Sequence, residues 1–226
     1  MKSPAVFHLR QIVGAFQCNC HLLACPKTGE TALVDPGDEP EKLVNWVSGL
    51  TLPDGKPLKL KWLLHTHGHL DHVGATRNLK LAHPESKIAL HRGDEPLYQA
   101  LQKQGQMFGF RYEEPLPVEK FLEHEESIQV GSLQFSVIHT PGHSPGSVCL
   151  RLHEDSDVGT RETLFSGDTL FQSSVGRTDL WGGDSGQMFS SIKNRILTLD
   201  GDTRVCPGHG PDTQVGTEKK SNPFLR

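Results

Sequence analysis

The stretch HTHGHLDHVG, residues 65–74, contains four histidines and one aspartate between His65 and His72. It follows the apolar, strand-like run KWLL (61–64). A loop after a buried strand has no packing use for so many imidazole and carboxylate groups, because buried polar groups are destabilising unless they are paired. Imidazole is a good ligand for zinc, iron, copper and nickel, and carboxylate adds hard-oxygen character. The stretch therefore predicts a metal site.

The spacing within this stretch predicts that one loop supplies two metal ions. His67 and His69 are two residues apart, so both side chains can point to one side of an extended loop. Asp71 and His72 are adjacent and are expected to point elsewhere. Each metal then needs further ligands from other parts of the chain.

Further carboxylate and imidazole side chains end other strand-like runs, with glycine or proline close by: Asp35, His143, Asp168 and His209. Tight turns at glycine and proline allow rigid strands to deliver side chains to one point. We expect His143 to bind one metal and His209 the other, with Asp168 as a carboxylate that bridges them.

This ligand set leaves a coordination position for water at each metal, which is typical of a catalytic rather than a structural site. We therefore expect two divalent metal ions per chain. Zinc is favoured, and iron and manganese are compatible with the same ligands.

Length and composition restrict the class of protein. The chain has 226 residues, of which 35% are hydrophobic and 22% charged, as expected for one globular domain with its own core. The net charge of −4 and the lack of a basic cluster predict no nucleic-acid partner. No apolar run approaches the roughly 20 residues of a membrane span, and no secretory signal is recognisable. The five cysteines, an odd number, favour reduced thiols and a cytoplasmic location. Nothing in the sequence indicates the oligomeric state.

Strand-like and helical patterns alternate in both halves of the chain. LQFSVIHT (133–140) and SVCLRL (147–152) place apolar side chains at every second position, and Ile192 and Ile196 recur at helical spacing. The pattern predicts an α/β protein in which two sheets pack face to face with helices outside. Residues 105–126 fit no regular element. They form either a wall of a substrate pocket or a loop that packs onto the core.

Several motifs resemble those of the metallo-β-lactamase superfamily, in the same order along the chain: VDPG (34–37), THGHLDH (66–72), PGHSPGS (141–147), FSGDTLF (165–171) and CPGHG (206–210). The resemblance covers nearly the whole chain and implies the αββα four-layer sandwich as a single domain over residues 1–226. It also implies that Asp35 lies below the metals, where it contacts a ligand.

Within the superfamily the sequence is most similar to the short glyoxalase II-like hydrolases. Asp168 occupies the bridging position, and no cysteine stands at a ligand motif, unlike in many zinc β-lactamases. His69 stands where flavodiiron proteins usually carry a glutamate. Only 17 residues follow His209, so we expect no C-terminal helical domain of the kind that binds glutathione in full-length glyoxalase II.

The resemblance implies a metal-dependent hydrolase of a small-molecule thioester, either S-lactoylglutathione or a related 2-hydroxyacyl thioester. In such an enzyme a hydroxide bridging the two metals attacks the thioester carbonyl. Asp71 and Asp168 are the expected catalytic residues, because Asp71 orients the hydroxide and Asp168 holds both metals.

The motif GRTD (176–179) has two interpretations. Glyoxalase II carries a substrate-contacting basic residue in this stretch, so Arg177 is expected to bind the substrate. The other interpretation is an ion pair between Arg177 and Asp179 that has no role in substrate binding. A similar GRTD occurs in persulfide dioxygenases of the same fold, which use one iron, and that activity is the alternative function. A metal-binding protein without turnover is a third hypothesis.

Overall fold

Two six-stranded β-sheets form the centre of the computed structural model, which describes residues 6–153 and 162–226. The first sheet contains, in spatial order, β1 (Phe7–Val13), β2 (Cys18–Ala24), β3 (Glu30–Val34), β4 (Lys59–Leu64), β5 (Lys87–His91) and β6 (Lys120–Leu122). Strands β1 to β3 are antiparallel, whereas β3 to β6 are parallel. The antiparallel pairs need only short turns, and the parallel pairs are joined by longer crossovers that hold helices.

The second sheet is mostly antiparallel. It contains, in spatial order, β7 (Ser127–Val130), β8 (Leu133–His139), β9 (Val148–Leu152), β10 (Thr163–Gly167), β13 (Arg204–Pro207) and β14 (Thr213–Gln214). Strands β10 and β13 are its parallel pair. Between them in the chain, β11 (Leu170–Phe171) and β12 (Ser174–Val175) form a separate short hairpin.

Helices cover the outer face of each sheet. The first sheet is covered by α1 (Pro40–Gly49), α3 (Thr76–Ala82), α4 (Glu95–Gln99) and α5 (Leu101–Met107), and the very short α2 (Leu70–Val73) follows β4. The second sheet is covered by a π-helical segment (Ile192–Ile196) that continues α6 (Ser185–Ser191), and by α7 (Val215–Ser221). These four layers form the αββα sandwich, so the predicted fold is confirmed.

Strand alternation explains why both faces of each sheet are buried. In β8, Phe135 and Val137 point between the two sheets, whereas Ile138 points to the helices outside. Successive side chains of a strand point to opposite faces, so one strand contributes to two core layers. Complete burial of a side chain such as Phe135 contributes about 1.5–3 kcal/mol to stability.

Two findings concern the expected location of the protein. Within residues 6–153 and 162–226, no helix combines the length and the apolar character that crossing a bilayer requires. All five cysteines are buried free thiols. The cytoplasmic location and the extent of the domain stay predictions.

Candidate metal centre

The predicted ligands come together at one end of the sandwich, in loops that follow β4, β8, β10 and β13. Gly208 permits this convergence. A Cβ atom at that position would lie 2.4 Å from Asp168 Oδ1 and 2.6 Å from His72 Cε1. Any larger residue would therefore push apart two side chains that the site brings together.

One group of possible ligands consists of His67, His69 and His143. Their ligand atoms lie within 4.8 Å of one another, and all three side chains are buried. His69 Nδ1 and His143 Nε2 are 2.9 Å apart. Nitrogens that bind a common zinc ion at about 2.1 Å lie roughly 3.0–3.4 Å apart for bond angles between 90° and the tetrahedral value. The spacing of this pair therefore suits a shared cation.

A second group consists of Asp71, His72 and His209. His209 Nε2 lies 3.2 Å from His72 Nε2 and 3.2 Å from Asp71 Oδ2. Asp71 and His72 are adjacent in the chain, and both face His209, which is more than 130 residues further along the sequence. His69 and His143 belong to the other group, and His67 is close to both because it also clusters with His72 and Asp168.

Asp168 lies between the two groups. Its Oδ1 is 3.4 Å from His72 Nε2, and its Oδ2 is 3.6 Å from both His143 Nε2 and His209 Nε2. The structure therefore brings all seven predicted ligands together. Their assignment as ligands stays a prediction, because proximity alone does not identify a bound ion.

The chemistry of the donor atoms fits a metal. His67 Nε2 and Asp168 Oδ1 are buried without a hydrogen-bond partner in the described part of the chain. Leaving such a group unpaired is destabilising by about 1–3 kcal/mol.

Burial lowers the pKa of His69 to about 3, so its imidazole is neutral and has a free lone pair. Metal ligands must be deprotonated, and His69 meets this condition. The pKa of His72 and of His209 is raised instead, because the nearby carboxylates of Asp71 and Asp168 contribute against the effect of burial, so a cation there competes with protons. The cluster of histidines and aspartates is able to bind metal ions.

Asp35 supports one of the predicted ligands from below. Its Oδ2 lies 3.0 Å from His72 Nδ1, and its Oδ1 accepts a hydrogen bond of 2.8 Å from the Thr66 backbone N–H. When His72 Nδ1 donates to this carboxylate, its Nε2 is left free to face Asp168 and His209. Such a contact sets both the tautomer and the orientation of a ligating imidazole.

Asp94 is a residue that the sequence analysis missed. It is fully buried and accepts three hydrogen bonds: from Gly68 N–H (2.9 Å), Gly146 N–H (2.6 Å) and the Ser144 hydroxyl (2.6 Å). Gly68 lies between His67 and His69, while Ser144 and Gly146 flank the loop of His143. One carboxylate therefore ties together the two loops of the first ligand group. Its place three residues after β5 is the same strand-end signal that marks the other site residues.

Gln104 supports the same loop from α5, and its role also escaped the sequence analysis. Its Oε1 accepts a hydrogen bond of 3.0 Å from Leu70 N–H, and its Nε2 donates to Gly68 O at 3.1 Å. The amide thus satisfies backbone groups on both sides of His69. No local sequence pattern distinguishes this glutamine from an exposed helical one.

The substitution Asp94→Asn is expected to weaken metal binding by the first ligand group about 10- to 100-fold, the usual effect of losing an outer contact to a ligand. The amide retains only one acceptor oxygen, so a buried donor of Gly68, Gly146 or Ser144 loses its partner. Metal content after dialysis against a competing chelator measures the effect.

Asp54→Asn is the matched control for this experiment, because Asp54 is exposed and pairs with Lys56 on a surface turn. It should bind metal like the wild type. If Asp94→Asn also retains wild-type affinity and only unfolds at a lower temperature, Asp94 serves stability and not the site.

The backbone of Arg177 contacts the ligand cluster, whereas its side chain lies at the rim of the cavity. Its carbonyl oxygen accepts a hydrogen bond of 2.7 Å from His143 Nδ1, which leaves His143 Nε2 free for the cluster. Its guanidinium pairs with Asp179 through two contacts, of 2.7 and 2.8 Å, and both side chains are more than 60% exposed. The ion pair is therefore present, and substrate binding by Arg177 stays a prediction.

A cavity of about 320 Å³ opens beside the cluster, within the usual size range of ligand pockets. His69, Asp71 and Asp168 are among the polar side chains that line it. The two interpretations of residues 105–126 both apply, to different parts of the segment. Met107 and Phe108 line the cavity. Phe110, Tyr112, Leu116 and Val118 instead pack against the core outside the first sheet.

Comparison with known proteins assigns the family. The sequence model of the metallo-beta-lactamase superfamily matches residues 13–209. The hydroxyacylglutathione hydrolase GloC of Haemophilus influenzae is 38% identical, over 94% of this chain and 95% of that protein. The chain therefore belongs to the metallo-beta-lactamase superfamily.

Two solved structures are similar over nearly their whole length. One, described as the B3 metallo-beta-lactamase BLEG-1, has a TM-score of 0.82 and 36% identity, over 97% of this chain and 99% of that chain. The other is described as a di-iron-bound form. It has a TM-score of 0.79 and 39% identity, over 96% of this chain and 100% of that chain.

Proposed function

We propose that this protein is a metal-dependent hydrolase of thioesters, with S-lactoylglutathione or a related 2-hydroxyacyl thioester as substrate. The position of Asp168 carries the proposal. Its carboxylate lies within 3.6 Å of imidazoles from both ligand groups and lines the cavity. Similarity to a hydroxyacylglutathione hydrolase over 94% of the chain supports it.

The proposed cofactor is a pair of divalent metal ions, with zinc favoured, and Asp168 would help to hold both. The first would be held by His67, His69 and His143, and the second by Asp71, His72 and His209. Such ions, when bound, lower the pKa of water and polarise a carbonyl group.

The side chains of the site act on the substrate and on water. Asp71 lines the cavity, where its carboxylate accepts a hydrogen bond from the attacking water and orients it. The water oxygen forms a bond to the acyl carbon, and the bond from that carbon to sulfur breaks. The proton lost by water balances the charge of the departing thiolate, and the products are a 2-hydroxy acid and a thiol. Arg177 would contact a substrate carboxylate after releasing Asp179, with which its guanidinium otherwise forms an ion pair.

Hydrolysis without oxygen is the test. We expect thiol release from S-lactoylglutathione at the same rate in air and under anaerobic conditions, because water is the only co-reactant. Purified protein should contain about two metal ions per chain. The assay measures free thiol as a function of time, with a β-lactam as a second substrate because one similar structure is described as a β-lactamase.

Two results would contradict this proposal. Oxygen-dependent turnover of glutathione persulfide by protein with one iron per chain would favour the dioxygenase. Lack of activity on acyl thioesters, lactones, β-lactams and persulfides would favour a metal-binding protein without turnover.

A further inference from the structure

Apolar side chains from three segments outside the ligand loops line the cavity beside the metal centre. The apolar wall comprises Phe16, Leu97, Met107, Phe108, Leu180 and Trp181. Met107 is 81% exposed and Trp181 is 60% exposed. Large apolar side chains that are exposed together at a cavity mouth, rather than scattered singly, are typical of a binding surface.

Two of these side chains form a contact between distant parts of the chain. Phe16 belongs to the turn between β1 and β2, and Phe108 follows the last residue of α5. Their rings are in an edge-to-face arrangement, with centroids 5.4 Å apart and planes at 85°. Edge-to-face pairs are favourable beyond the area they bury. The pair therefore holds one side of the cavity in place before any ligand arrives.

Apart from the proposed metal ions, the cavity offers few positive charges to an anionic ligand. Among the described residues that line it, Arg177 is the one lysine or arginine. Its guanidinium already forms a two-contact ion pair with Asp179. Glutathione carries two carboxylates at neutral pH. Arg177 can pair with at most one of them, and only in exchange for Asp179, so the second carboxylate has no lysine or arginine partner among these residues. The apolar wall is therefore suited to the acyl half of the substrate, and the polar thiol half is left to extend into solvent.

We infer that this site selects 2-hydroxyacyl thioesters whose acyl group carries a bulky apolar substituent, such as a phenyl ring or a chain of several carbons. This inference rests on the proposed thioester hydrolysis. A lactoyl group presents only a methyl group and leaves most of the apolar wall in contact with water. A mandeloyl group presents a phenyl ring in the same place, and its burial against Phe108 and Trp181 removes apolar surface from water on both partners.

A series of glutathione thioesters tests this selectivity while the thiol and the 2-hydroxyl group stay constant. The series consists of lactoyl, 2-hydroxybutanoyl, 2-hydroxyhexanoyl and mandeloyl thioesters. We expect kcat/KM to be at least about tenfold higher for the mandeloyl than for the lactoyl thioester, the size of effect that a single added methylene already produces in an apolar pocket. Calorimetric titration with the product acids should give tighter binding of mandelate than of lactate.

The variant Phe108→Ser is expected to remove most of the difference between mandeloyl and lactoyl thioesters. Phe108 is half-exposed, so the fold should tolerate the change, which thermal unfolding checks. Leu81→Ser is the matched control. Leu81 is also apolar and 61% exposed, but it lies on α3 and does not line the cavity. It should leave the difference unchanged.

The outcomes separate this inference from the proposed function. Equal or faster hydrolysis of the lactoyl thioester, or a mandeloyl preference that survives in Phe108→Ser, would overturn the acyl selectivity alone. Failure to hydrolyse any member of the series would overturn the thioester hydrolase itself, and the selectivity with it.

Discussion

Asp168→Ala is expected to lower kcat/KM for thioester hydrolysis by at least about 10³-fold, because both ligand groups lose the one carboxylate that contacts each of them. The shortened side chain no longer places oxygen within 3.6 Å of His72, His143 and His209. Metal content should fall from about two ions per chain to one or fewer. Steady-state kinetics and metal analysis of the same preparation measure both effects.

The control for this experiment is Asp54→Ala, which removes an exposed carboxylate from a surface turn. Its kinetics and metal content should match the wild type. An Asp168→Ala protein that folds and retains hydrolysis within a factor of ten of the wild type would show that the two ligand groups do not act together.

Removal of metal by a strong chelator is expected to abolish hydrolysis and to lower the unfolding temperature by about 8–16 °C. A cation bound a thousandfold above its dissociation constant stabilises the folded state by about 4 kcal/mol, and each kcal/mol corresponds to roughly 2–4 °C for a domain of this size. Without metal, buried imidazoles such as His67 have a nitrogen with no partner. Scanning calorimetry with and without chelator measures the shift.

Re-addition of zinc, iron or manganese to the chelated protein identifies which ion restores both the activity and the unfolding temperature. The Asp168→Ala variant should show a smaller shift on chelation, because it has less bound metal to lose. An unfolding temperature and a turnover rate that are both insensitive to chelation would contradict a metal centre.

Much of the fold could be predicted because the information is local. Apolar residues at every second position of 133–140 and 147–152 indicate strands with one face between the sheets, and the structure places Phe135, Val137 and Leu150 there. The types of the candidate ligand residues and their positions at strand ends can also be recognised from neighbouring residues alone. A histidine or aspartate beside a glycine or proline is visible as such in the sequence.

The supporting residues could not be predicted in this way. Asp94 resembles an ordinary residue at the start of a helix, and its three hydrogen bonds to two ligand loops exist only because β5 lies beside them. The motif GRTD does not show whether Arg177 and Asp179 form an ion pair, and the structure places the two side chains in contact. Contacts of this kind depend on packing between segments that no sequence pattern connects.

The sequence by itself determined which side chains are available to bind metal, and that they stand at strand ends beside tight turns. Residue type and periodicity are properties of neighbouring positions, so they can be read without coordinates. Only the tertiary structure decided the shape of the cavity, in which Phe16 and Phe108 meet from segments about 90 residues apart. Such a contact arises from the way the sheets and helices pack, because burial of apolar surface brings together residues that the chain itself keeps apart.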